Sequence, residues 1–224
     1  MKRTIFITGT DTGVGKTILA ALLTQFLCER GINAVALKPV CSVGRADARA
    51  LHAAMDGALS LDEINPWHFR APIAPLLAAR RKRKRVHLAG VLAHIRAMQK
   101  CFDMLLVEGA GGLLSPLGEN FNSGDLIEKL GASPIIVAPN RLGVVNHILL
   151  TLKALPRSAA AGARVVLISP PKPDAASATN AKLLAQFFDS KRIFTLPWLG
   201  KNVPVGKVLK NPHVRRTLRA LAPA

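Results

Sequence analysis

"TGTDTGVGKT", residues 8–17, decides how the rest of the chain is read. The general phosphate-binding pattern is Gly, four residues, then Gly-Lys-Ser/Thr. Here five residues separate Gly9 from Gly15, and Thr10 stands where the first glycine belongs. Three features still predict a phosphate cradle. A β-branched run, "TIFIT" (4–8), precedes the loop, and an apolar stretch with helical spacing (16–31) follows it. That junction brings backbone N–H groups and the positive end of a helix dipole to one point. Gly9, Gly13 and Gly15 permit close backbone approach and positive φ. Lys16 supplies a cation to the terminal phosphates, and Thr17 a hydroxyl for Mg²⁺.

Outward from the loop, apolar runs alternate with helical stretches. Strands are expected at 33–40, 103–112, 133–140, 163–169 and 192–198, and helices at 88–101, 123–131, 143–155 and 175–188. The strands are continuous apolar runs, which suits a parallel sheet covered on both faces. The expected fold is α/β: one domain over 1–224, with a doubly wound, mostly parallel sheet and helices on both faces. Residues 42–85, rich in Ala, Pro and Arg, give no clear pattern.

Composition narrows the class. Half of the 224 residues are hydrophobic, but no apolar run approaches the roughly 20 residues of a membrane span. The start, "MKRTIFITGT", is too short in its apolar part to be a secretory leader. Three cysteines (Cys28, Cys41, Cys101) have no metal-ligand spacing; a reducing cytoplasm is expected. Lys and Arg number 31 against 13 Asp and Glu, a formal charge of +18. Anionic partners are favoured. The densest block is "RRKRKR", Arg80 to Arg85. A solvated basic surface accounts for it; nucleic acid is not excluded by charge, but aromatics are only 4% with no Tyr, so base-stacking platforms are scarce.

Phosphate-bound Mg²⁺ needs hard oxygen ligands. Asp47 and Glu108 fall near the carboxyl ends of strands, where open α/β sheets bind ligands. Asp11 is a third carboxylate, able instead to brace the turn. Lys38 closes an apolar strand, "AVALKPV", and Pro39 forces an extended exit. A lysine there is placed to neutralise developing negative charge.

These residues together resemble the dethiobiotin synthetase family. The matching segments are "TGTDTGVGKT" (8–17), "LKPV" (37–40), "NPWHF" (65–69) with "APIAP" (71–75), "VEGAGG" (107–112), "NRLGVVNH" (140–147) and "LPWL" (196–199). Their order and spacing run along nearly the whole chain, and the five-residue gap in the loop is what that family carries. The resemblance implies ATP- and Mg²⁺-dependent closure of a ureido ring in biotin biosynthesis. 7,8-Diaminopelargonate takes up CO₂ as a carbamate, ATP phosphorylates it, and the neighbouring amine closes the ring. It implies that Lys16 and Lys38 flank the transferred group, that Thr12 and Ser42 line the phosphate and carbamate region, and that Gly13, Val14, Gly15, Lys16 and Thr17 cradle the nucleotide. Mg²⁺ falls to Thr17, Asp47 and Glu108. The substrate carboxylate falls to Gly143, Val144, Val145 and Asn146 across a homodimer interface. Adenine falls to Ser169, where the family carries Asn, and to backbone groups near Pro197 to Leu199.

A second class stays open at this point. Partitioning ATPases of the ParA/MinD kind share a deviant phosphate loop and use basic surfaces to hold DNA or membrane. Their loops carry a second lysine near the start; this chain has Thr10-Asp11-Thr12.

Overall fold

The computed structural model describes residues 3–200 and 204–222. In chain order the elements begin with β1 (Arg3–Gly9), α1 (Lys16–Cys28), β2 (Ala34–Leu37), β3 (Val40–Cys41), α2 (Ala46–Ala54), α3 (Leu61–Ile64), β4 (Trp67–His68) and α4 (Pro75–Arg81). There follow α5 (Leu88–Cys101), β5 (Met104–Glu108), α6 (Ser123–Leu130), β6 (Ser133–Pro139), α7 (Val144–Ala154) and α8 (Arg157–Ala160). The chain closes with β7 (Arg164–Ile168), α9 (Ala175–Leu184), β8 (Ile193–Leu196), α10 (Val205–Val208) and α11 (Pro212–Leu221).

Six strands form one parallel sheet in the order β2-β5-β1-β6-β7-β8. Strands β2 and β5 are buried at every residue. That is the burial which continuous apolar runs demand. The centre of the core is Phe6 and Ile7 of β1 with Leu22, Leu23 and Phe26 of α1, all fully buried. β1 lies mid-sheet between β5 and β6. The chain builds leftward from it first and rightward later, so the carboxyl end of β1 sits where the strand order reverses. Open α/β sheets place ligands at that point.

The expectation of one strand over 33–40 is corrected. β2 ends at Leu37, and β3 pairs with β4 in a separate two-stranded sheet. The cause is Pro39, which has no N–H to continue a ladder. The unpatterned 42–85 stretch holds three short helices and β4. In the basic last quarter, α11 buries Val214, Thr217, Leu218 and Leu221. Asn211 caps it through the N–H groups of His213 and Val214, and Pro212 opens its first turn. Arg215 turns outward to pair with Glu29 at 2.7 Å. Those positive charges belong to the solvated face of an amphipathic helix.

The loop after β1 depends on two left-handed glycines, Gly13 (φ 71) and Gly15 (φ 96). They differ in surroundings. A Cβ at Gly13 meets nothing within 4 Å, whereas one at Gly15 lands 2.3 Å from Ile168 Cδ1. Gly13→Ala is expected to cost about 1 kcal/mol, the backbone term alone. Gly15→Ala adds overpacking and is expected to cost about 2–4 kcal/mol. Urea unfolding of the two variants measures the difference; equal midpoints refute the packing argument.

Candidate active site

At the carboxyl ends of β1, β2 and β5 lies a cavity of about 480 Å³. The loop contributes Thr12, Gly13, Gly15, Lys16 and Thr17; the segment after β2 contributes Lys38, Ser42 and Asp47; β5 contributes Glu108. Nine residues singled out from sequence therefore share one wall. A slightly larger cavity, about 540 Å³, sits at the opposite edge among the starts of β1, β6 and β7 and contains none of them.

The strand register explains the centre of the site. Leu37 of β2 pairs with Val107 of β5. The next residue on each strand, Lys38 and Glu108, therefore emerges side by side. Both are almost wholly buried, at 4% and 2% exposure. Lys38 Nζ lies 2.5 Å from Glu108 Oε1 and 2.8 Å from Asp47 Oδ2. Asp47 stands in the first turn of α2. Thr17, in the first turn of α1, donates its hydroxyl to Glu108 Oε1 at 2.7 Å. Glu108 Oε2 is buried with no hydrogen-bond partner.

The electrostatics separate the two lysines. Burial pushes the Lys16 ammonium down, and repulsion from Lys38 adds to it; Glu108, Asp47 and Asp11 oppose, leaving a pKa of about 8. Burial acts downward on Lys38 too, but Glu108 and Asp47 outweigh it and hold its pKa above the ordinary value. Asp47 is also pushed up by burial, yet Lys38, Thr17 and Lys16 bring its carboxyl below the usual range. Lys16 Nζ donates to the Asp11 carbonyl at 2.8 Å. The Asp11 carboxylate accepts from the Thr12 N–H at 2.6 Å, so it braces the turn.

Other sequence-predicted residues lie elsewhere. Val14 turns its side chain into the core, 6% exposed, leaving only its backbone toward the loop. Pro197 and Leu199 line a separate cavity of about 280 Å³ between β8 and α10–α11. Ser169, directly after β7, donates its N–H to Leu196 O at 2.9 Å. It thus sits beside the start of that 197–199 segment, on the same sheet edge as the phosphate loop. Gly143 caps α7 with φ 84, and Val144, Val145 and Asn146 form the first turn; none lines the 480 Å³ cavity. Cys41 lines it unforeseen. Asn65 and Arg45, which brace it from behind, were equally unforeseen: Arg45 donates to Leu61 O at 2.7 Å and to Asn65 O at 2.9 Å.

Removing Lys38 strands Glu108 as a buried charge. Lys38→Met is expected to lower unfolding free energy by about 3 kcal/mol, and adding Glu108→Gln to restore most of it. Denaturant unfolding of the single and double variants checks this. A double variant no more stable than Lys38→Met rules out the stranded-charge account.

The AAA domain family profile matches residues 3–205. The ATP-dependent dethiobiotin synthetase of Anaeromyxobacter dehalogenans (strain 2CP-C) is 38% identical over 224 residues, covering 98% of this chain and 95% of that relative. The same enzyme of Thermodesulfovibrio yellowstonii is 35% identical, covering 89% and 90%. That of Methanocaldococcus jannaschii is 37% identical, covering 74% and 78%. Among solved structures, the MinC:MinD cell division protein complex of Aquifex aeolicus aligns with a TM-score of 0.62 at 15% identity, covering 99% of this chain and 98% of that one. The pNOB8 ParA bound to nonspecific DNA aligns at 0.59 and 12%, covering 99% and 97%. Likeness at that identity carries the fold alone. Identity of 38% to such a synthetase over 98% of this chain and 95% of that relative places this chain in the ATP-dependent dethiobiotin synthetase family.

Proposed function

We propose that the chain closes the ureido ring of dethiobiotin from 7,8-diaminopelargonate, CO₂ and ATP. The observation that carries this reading is the convergence of Lys16, Lys38, Thr17, Asp47 and Glu108 on the cavity beside the phosphate loop. Phosphoryl transfer asks a protein mainly for positioning and charge neutralisation. The carbamate oxygen attacks the γ-phosphorus and ADP leaves; the second amine then attacks the carbamoyl carbon and phosphate leaves. The substrate supplies both nucleophiles, which suits a cavity with no activated serine or cysteine.

Roles follow from position. The N–H groups of Gly13 to Thr17 and the amino end of α1 face the nucleotide phosphates. Lys16 reaches the terminal phosphates and leaves its Asp11 carbonyl to do so. Lys38, held charged by two carboxylates, faces the transferred group. Thr12 and Ser42 present hydroxyls to the phosphate and carbamate oxygens.

The residues fit a hard divalent cation. Glu108 Oε2 is buried and unpartnered, Asp47 is half exposed toward the cavity, and Thr17 adds a hydroxyl. Thr17, Asp47 and Glu108 would hold Mg²⁺, which would supply further neutralisation of phosphate charge. Adenine is proposed at Ser169 and the 197–199 backbone. The amino end of α7 is proposed to take the substrate carboxylate from across a homodimer. Two facts support that: Gly143 to Asn146 do not line the single-chain cavity, and Leu142 and Leu150 beside them are 86% and 57% exposed. A cytoplasmic setting is supported by three free cysteines. No helix among the described residues is long and apolar enough to cross a membrane.

Purified protein given diaminopelargonate, bicarbonate, Mg²⁺ and ATP is expected to form dethiobiotin by mass, and to sediment as two chains. ATP hydrolysis stimulated by DNA without that product defeats the proposal. The pKa of Lys16 gives a second expectation. Below about pH 8 it is an ammonium and above it a neutral amine. Affinity for a nonhydrolysable ATP analogue should fall as pH rises past about 8, approaching tenfold per unit. Lys16→Arg should abolish that step. Calorimetry across pH 6.5–9.5 decides (a range spanning about 1.5 units either side of the value); a pH-independent wild type removes Lys16 as the titrating group.

A further inference from the structure

We propose that Asn65 is a positioning residue for phosphoryl transfer, holding the Lys38–Ser42 segment in place from behind the cavity. The proposal rests on the reaction described above.

The chain leaves the main sheet at Lys38, so that sheet no longer holds it. A second ladder takes over, formed with residues 64–69. Lys38 N–H donates to Ile64 O at 3.0 Å, Trp67 N–H to Pro39 O at 3.1 Å, Phe69 N–H to Cys41 O at 3.0 Å and Gly44 N–H to Phe69 O at 2.9 Å. Pro39 has no N–H to give this ladder. The gap falls directly after Lys38. Asn65 spans it with its side chain: Nδ2 donates to Lys38 O at 2.6 Å. A carbonyl opposite the amide nitrogen fixes which end of the amide is which. The amide oxygen then meets Cys41 Sγ at 3.2 Å, and the single S–H of Cys41 is shared with Gly44 O at 3.0 Å. One side chain thus grips the segment before and after Pro39.

Asn65 is wholly buried, and it does not line the cavity. Its own carbonyl accepts from Arg45 at 2.9 Å. Arg45 precedes the first turn of α2, two residues before Asp47. Lys38 and one of the two carboxylates that hold it, Asp47, are therefore both tied to this residue. The phosphate loop is not.

Asn65→Ala is therefore expected to lower kcat for dethiobiotin about tenfold to hundredfold while KM for ATP moves less than about threefold. In a Lys38→Met background it should lower the residual rate by clearly less than it lowers that of the wild type, because the part of its effect that runs through Lys38 is already lost. Thiol titration supplies a reading independent of activity. The wild type should expose Cys28 and Cys101 to a disulfide reagent, and Asn65→Ala should add Cys41. If Asn65→Ala does not fold, Asn65→Asp, of the same shape, replaces it in every arm. A lowered Tm with unchanged kcat, or losses that multiply in the double variant, overturns the proposal. A wild type that makes no dethiobiotin counts against the reaction; Asn65 is then judged on the thiol count, and an unreactive Cys41 in the variant overturns it.

Discussion

The Lys38–Glu108 pair is the constraint on which the site depends. Two ionised groups at 4% and 2% exposure could not remain charged apart in so dry a place. Together, with Asp47 and Thr17 completing the set, they can. The pair also locks the edge strand to its neighbour, since it continues the β2–β5 register by one residue. A buried ion pair is weak evidence for stability, because apolar residues of like volume often serve as well. At the cavity wall the pair keeps a lysine charged, which is what the proposed reaction asks of it. The pair leaves one carboxylate oxygen unpartnered, a cost the fold bears only at this site among its carboxylates as described.

Much of this was legible in the sequence, and for physical reasons. A lysine ending an apolar strand before proline is anomalous on any structural reading. So is a glutamate closing "MLLVE" (104–108). Anomalies of that kind mark the places where burial and charge conflict, and here both conflicts resolve into one pair. Strands β1, β2, β5, β6 and β7 were legible because they are buried on both faces over most of their length. Helix α5 was legible at both ends, Leu88 and Cys101, because its apolar spacing is regular.

The rest was hidden for equally physical reasons. β3 and β4 are two residues each, too short for any periodicity to show. Their existence follows from Pro39 expelling the chain from the main sheet, which needs tertiary information about where 64–69 lies. Asn65 was invisible as an actor because a hydrogen bond to a backbone carbonyl leaves no pattern. The α11 stripe, by contrast, was present: Val214, Thr217, Leu218 and Leu221 follow the spacing of one helical face, behind an Asn-Pro start. The charge proved to be the outer face of a helix whose inner face is core.

Charge is distributed in two regimes. At the site two ammonium groups and two carboxylates balance, so the cavity itself carries little net charge before a nucleotide arrives. The surplus lies outside. Arg81 to Arg85 are all exposed at the end of α4, and of that block Arg80 is answered by a carboxylate, Glu119 at 2.6 Å. A locally neutral site avoids the self-repulsion that would accompany several buried positive charges. A positive exterior still raises the local concentration of a polyanionic nucleotide and speeds encounter. In the proposed reaction, attraction at long range comes from the surface, while discrimination at short range falls to directed N–H groups and two lysines. On that reading the loop N–H groups, which side-chain movement cannot neutralise, are the fixed part of the proposed grip. Lys16, with its pKa near 8, is the part that responds to conditions.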